Sequence, residues 1–180
     1  GVCHTTFKMT FTSYKNNFSR CPCQTMSKGE RITEEYLKNN NIQYEKQKTF
    51  PDCKRKIALR YDFYLPTYDI LIEFDGSIHF KSNLLLGGDV AFLCRRESDL
   101  IKNVYCIKNN KKLFRISYNH IGSIEKRLDE YLNKAIKDTI EYSCPKTYYE
   151  LIYQTANKLI DNKIDYKLTI NLNTLLEVIE

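Results

Sequence analysis

Tyr61-Asp62-Phe63-Tyr64-Leu65-Pro66 and, three residues on, Ile70-Leu71-Ile72-Glu73-Phe74-Asp75-Gly76 are the stretches that decide the fold of this 180-residue chain. Both are short, rich in aromatic and aliphatic residues and closed by a chain breaker, so each reads as a strand, with Thr67-Tyr68 as the turn of a meander. Successive strand side chains alternate between faces, which puts Leu71, Glu73 and Asp75 on one side and Ile70, Ile72 and Phe74 on the other. Ionised groups in so apolar a strand are costly to bury unless they are paired or ligated. Across adjacent strands, Asp62 and Glu73 come close enough for both carboxylates to ligate one hard cation, Mg2+ or Mn2+. A metal placed there would activate water and stabilise charge developing on a phosphate.

Upstream of these strands, Ser27-Lys28-Gly29-Glu30 has the form of a capping box and predicts a helix start. Ile32, Tyr36 and Leu37 give that helix an apolar face, and Asn39-Asn40-Asn41 is its stop. Gln43 to Phe50 reads as a first strand and Pro51 to Lys56 as a basic loop. Downstream, Gly87-Gly88-Asp89 opens a long helix, supported by Val90, Leu93, Ile101, Val104 and Tyr105, that runs to about Asn109. Leu113 to Tyr118 is a fourth strand. Ile124, Leu128, Tyr131, Leu132 and Ile136 predict a second long helix over about Ser123 to Ile140. The order is helix, three-stranded meander, helix, strand, helix: an α/β core over residues 27–140. A small Cys-rich module (1–26) precedes it. A mostly helical carboxy-terminal extension (141–180) follows, with apolar spacing at Tyr149, Ile152, Ala156, Leu159 and Ile160.

Composition narrows the class. No apolar run approaches the roughly 18 residues that span a bilayer, and mean hydropathy is −0.50, so no membrane partner is expected. Nothing at the amino end reads as a secretory signal. Seven cysteines are too few and too scattered for a disulfide scaffold, and an odd number cannot all pair internally, which fits an intracellular, reducing compartment. The net charge of +6 is unevenly spread: residues 1–61 carry 12 Lys and Arg against 5 Asp and Glu, the remainder 16 against 17. A basic first third is the footprint expected for a polyanion such as DNA, with Lys54-Arg55-Lys56 as its grip. Simple solubility is the rival explanation.

Taken together, Asp62-Phe63-Tyr64-Leu65-Pro66, Ile72-Glu73-Phe74-Asp75-Gly76 and His79-Phe80 resemble the core motif of PD-(D/E)XK nucleases. Within that superfamily the chain is most similar to the group of very short patch repair endonucleases and their phage and giant-virus relatives. Gly87-Gly88, the run Asp99-Leu100-Ile101-Lys102-Asn103 and Leu113-Phe114-Arg115-Ile116 extend the resemblance, which covers about Ser27 to Tyr118. It implies a restriction-endonuclease-like core and an Mg2+-dependent endodeoxyribonuclease, with Asp62 and Glu73 as metal-binding acids. Asp75 occupies the place of the superfamily's lysine, so Lys102, His79 or a second metal held partly by Asp75 would orient the attacking water. Glu30 resembles an additional acid that meets the metal through water, Gln47 lines the site and Arg115 contacts phosphate.

Each assignment has a rival in ordinary structure. The capping box accounts for Glu30 by itself. Asp62 could pair with Arg60 or Lys102, and His79 could be a polar side chain after a turn. Asp99 and Lys102, three apart on a helix, could form a surface ion pair. Arg115, where it points inward, would need a carboxylate. At the amino end Cys3, His4, Cys21 and Cys23 are four candidate ligands for a structural Zn2+, although Cys21-Pro22-Cys23 has one residue where two are usual and Cys3 and His4 are adjacent. Three functions follow: a DNA endonuclease, a catalytically degenerate nucleic-acid-binding module, or a scaffold recruiting a larger DNA-processing complex. Cutting both strands would imply a homodimer or a partner.

Overall fold

The computed structural model describes residues 26–135 and 138–143. Cys3, His4, Cys21 and Cys23, and the extension from residue 144 onward, lie outside the described residues. The described chain is mixed α/β. Helix α1 (Lys28–Asn39) leads into strands β1 (Glu45–Lys54), β2 (Ala58–Leu65) and β3 (Ile70–Asp75), followed by helix α2 (Gly88–Lys108), strand β4 (Lys112–Ser117), helix α3 (Ile124–Leu132) and strand β5 (Ile140–Tyr142). The five strands form one sheet in the order β1-β2-β3-β4-β5. The first three are antiparallel, while β4 and β5 run parallel to β3. None of the described helices is long and apolar enough to cross a membrane.

Local chemistry sets the helix ends. At α1 the Ser27 hydroxyl accepts from the Glu30 amide and a Glu30 carboxylate oxygen accepts from the Ser27 amide, both at 3.1 Å. Both helices α1 and α2 stop in the same way, on a pair of asparagines. Asn41 and Asn110 take left-handed φ of 52° and 50°, and the Ile42 and Lys111 amides donate back to the carbonyls of Leu37 and Cys106 at 2.9 Å. Those are Schellman closures, with Asn tolerating the conformation that usually selects Gly.

The sheet is covered on both faces. On one side α2 packs Leu100, Ile101 and Val104 against Leu71, Tyr61 and Leu113. On the other, α1 and α3 bury Leu37, Leu128 and Tyr131 against Phe63, Ile70, Ile72 and Phe114, with the Phe114 and Tyr131 rings stacked at 4.1 Å. Each such side chain contributes about 1.5–3 kcal/mol on burial. Gly29 lets α1 lie directly on β3, since a Cβ there would sit 2.2 Å from the Phe74 ring.

Three expectations need correction. The basic loop Pro51–Lys56 is strand as far as Lys54; β1 is an edge strand, where Pro51 costs no ladder hydrogen bond. The helix expected to reach Ile140 ends at Leu132, capped by Asn133. Ile140–Tyr142, at the start of the supposedly helical extension, is instead a short strand that pairs with β4 and buries Ile140.

Candidate metal and phosphate site at the strand fork

Strands β2 and β3 are paired from Leu65–Ile70 to Phe63–Ile72. One residue further they part, and the Asp62 carboxylate takes the place of a ladder partner by accepting from the Phe74 amide at 2.8 Å. Glu73 therefore sits just behind the fork on the α2 face, 3% exposed, with Lys102 Nζ from α2 donating to its Oε1 at 2.5 Å. Lys102 lies within electrostatic reach of Asp62 as well. The geometry favours neither pairing considered for Asp62, because Lys102 is committed to Glu73 and Arg60 makes no ion pair with a described residue.

Both hairpin strands change face at this point. Tyr61 packs toward α2 and Phe63 toward α1, although strict alternation would put them together. Opposite them, Lys46 reaches Glu34 on α1 at 3.2 Å while Lys48 lies over the Tyr64 ring on the α2 side. Lys46 faces Phe63 and Lys48 faces Tyr61, so Gln47 stands opposite Asp62. Gln47 takes the switch at φ +53°, a left-handed conformation that costs a non-glycine, non-Asn residue about 1–2 kcal/mol. The double switch puts Asp62 at the mouth of a cleft of about 400 Å³ lined by Met26, Glu30, Lys46, Gln47, Arg60, Asp62 and Phe63. Glu30, expected to meet a metal through water, and Gln47, expected to line the site, both line this cleft, and Glu30 keeps its cap as well.

Burial, then the charge of Glu73, raises the Asp62 pKa well above the usual carboxylate value, with Lys102 opposing. Burial likewise raises Glu73 against the pull of Lys102 and Arg115. For Lys102, burial pushes downward, but the carboxylates of Glu73, Asp99 and Asp62 outweigh it and hold the ammonium charged. Two acids thus crowd one ammonium, with Glu30 adding to the repulsion on Asp62.

The neighbouring group is arranged differently. Arg115, expected to contact phosphate, is 1% exposed. It donates to both oxygens of Asp75 at 2.8 Å, to Asp99 Oδ1 at 2.6 Å and to Asn103 Oδ1 at 3.0 Å. Burial forces this, because a guanidinium on the inner face of β4 needs carboxylates around it. His79 Nδ1 lies 2.8 Å from Asp99 and 3.6 Å from Asp75. Burial pulls its pKa down, yet the two carboxylates prevail and raise it to about 9. Asp75, His79 and Asp99 offer donor atoms within 4.8 Å of one another and could hold a metal ion. As folded, those carboxylates are neutralised by Arg115 and the His79 imidazolium. Asp99 and Lys102 are not a surface pair: both are buried and point to different partners. The true partners of Asp99 escaped sequence reasoning because they come from β4 and the turn after β3.

Among the basic grip residues, Lys54 and Lys56 are exposed, while Arg55 is tied to Glu97 on α2 at 2.6 Å. No protein-family model, curated protein or solved structure matches the chain.

Proposed function

We propose that this chain is a metal-dependent DNA endonuclease on a restriction-endonuclease-like core, hydrolysing phosphodiester bonds at the fork between β2 and β3. The observation that carries the reading is the unbalanced cluster of Asp62, Glu73 and Lys102 beside an open cleft. Burial raises both carboxyl groups, Glu73 pushes Asp62 further upward, and the pair has one ammonium hydrogen-bonded to it, the situation a further cation relieves. Asp62 and Glu73 offer the hard oxygen ligands that suit Mg2+ or Mn2+, so the donor set fits such an ion. Bound there, it would lower the pKa of a water and neutralise charge on the phosphate.

The side chains divide the remaining work. Asp62 is held in place by the Phe74 amide and turned to the cleft. Glu73 is locked by Lys102. Lys102 stays protonated and acts as a donor, holding a water or a phosphate oxygen through N–H, not as a base. His79 near neutral pH is an imidazolium without a free lone pair, which assigns it to structure, together with Asp75. The element order, with acids on the second and third strands and the lysine moved to α2, supports the restriction-endonuclease-like reading.

Plasmid cleavage with Mg2+ or Mn2+ tests the proposal. Glu73→Gln should lower the rate by about 10²–10³-fold, the scale of a lost electrostatic contact at a reacting centre. Equal cleavage by native chain and variant would sink it. DNA binding without cleavage by the native chain would favour the degenerate binding module instead.

A further inference from the structure

The two arginines that sequence reasoning assigns to DNA are engaged elsewhere, Arg55 with Glu97 and Arg115 with Asp75 and Asp99. Arg60 is different. It lies on β2 two residues before Asp62, is exposed, lines the same cleft and makes no ion pair with any described residue. Lys46, the other cation of the cleft wall, is bound to Glu34. Opposite Asp62 stands Gln47 with its left-handed backbone, and such strain concentrates where a fold must present particular groups. With Lys46 committed to Glu34, the acids Glu30 and Asp62 in the cleft wall repel a polyanion unless a guanidinium offers a complementary face. Arg60 supplies one, with the planar fork that matches a phosphate.

Resting on the nuclease reading above, we propose that Arg60 is the residue that takes a backbone phosphate of the DNA strand lying in the cleft, next to the phosphodiester presented to Asp62 and Glu73. Gln47 lies across the hairpin from Asp62 and shapes the wall on which the strand rests. The contact is to the backbone, so it contributes affinity and position without sequence preference.

Salt dependence provides a readout that a structural role would not move. Binding of a fluorescein-labelled duplex is followed by anisotropy in Ca2+ across a KCl series for the native chain, Arg60→Gln, Arg60→Lys and Arg55→Gln. Losing one phosphate contact should flatten the slope of log K against log salt by about 0.9. The proposal expects that flattening in Arg60→Gln, its recovery in Arg60→Lys and a smaller change in Arg55→Gln. Because Arg60 is exposed, its variants should melt within about 2 °C of the native chain, so a change of slope is not unfolding. A native slope in Arg60→Gln, or no duplex binding by the native chain, overturns the proposal. Cleavage that depends on Glu73, together with an unchanged Arg60→Gln slope, would leave the nuclease reading standing and remove this one alone.

Discussion

Glu73 and Asp75 lie two residues apart on the same face of the same strand, yet they belong to opposite kinds of electrostatic arrangement. Around Asp75 the charges balance: Asp75 and Asp99 against Arg115 and the His79 imidazolium, joined by hydrogen bonds, with Asp75, Asp99 and Arg115 buried and His79 half-buried at their edge. Around Glu73 they do not, because Asp62 and Glu73 share Lys102 beside an open cleft. A buried acid is therefore informative about chemistry only once its counter-charges are counted. On the proposed reading the complete network is scaffold, and the incomplete one takes the ion and the substrate.

The largest effect should come from opening the balanced side. Arg115→Met leaves two buried carboxylates without their guanidinium, a loss of about 3–5 kcal/mol, read as a fall in Tm and in the urea midpoint. A variant as stable as the native chain would show that the network holds nothing together.

On the unbalanced side the sign reverses. A carboxyl whose folded pKa is raised binds protons more tightly when folded, so its contribution falls as pH rises from the unfolded value near 4 through the folded one. Asp62→Asn removes that loss while its amide oxygen can still accept from the Phe74 N–H. It should raise Tm near pH 7 by about 2–4 °C, equivalent to about 1 kcal/mol in a chain of this size, while abolishing cleavage. Mn2+ should raise the Tm of the native chain and not of this variant. A stabilising ion effect that survives Asp62→Asn would move the metal elsewhere, to the Asp75, His79 and Asp99 group in the first instance.

The smallest effect concerns pH on the balanced side. His79 is raised from the usual 6.5 to about 9, so its stabilisation is fully present below about 6.5 and is lost as pH climbs through about 9. His79→Gln should flatten the decline of Tm between those limits. An unchanged profile would mean that the imidazole is neutral in the folded chain.

Much of this was legible because strands and caps speak locally. The alternation of Ile70 to Asp75 gave the correct faces, the capping box and Asn39-Asn40-Asn41 placed the two ends of α1, and Gly87-Gly88 opened α2. What escaped depends on distant partners. Nothing near Arg115 in sequence announces Asp75 and Asp99, 40 and 16 residues away, and Arg55 meets Glu97 only through the packing of α2 on the hairpin. The strand at Ile140–Tyr142 is three residues long and owes its existence to the edge of β4. Gln47 carries no turn residue to advertise its φ; the face switch shows only when two strands are laid side by side.

That switch has a consequence for how the chain comes apart. The β1–β2 hairpin supplies residues to the core beneath α2 at one end and to the core beneath α1 and α3 at the other, so it works as a shared crossbeam. Neither layer can peel away without unzipping strands the other relies on. Amide exchange from the two cores should then report a single cooperative opening instead of two independent subunits of stability, with the β2–β3 fork sitting on the joint between them.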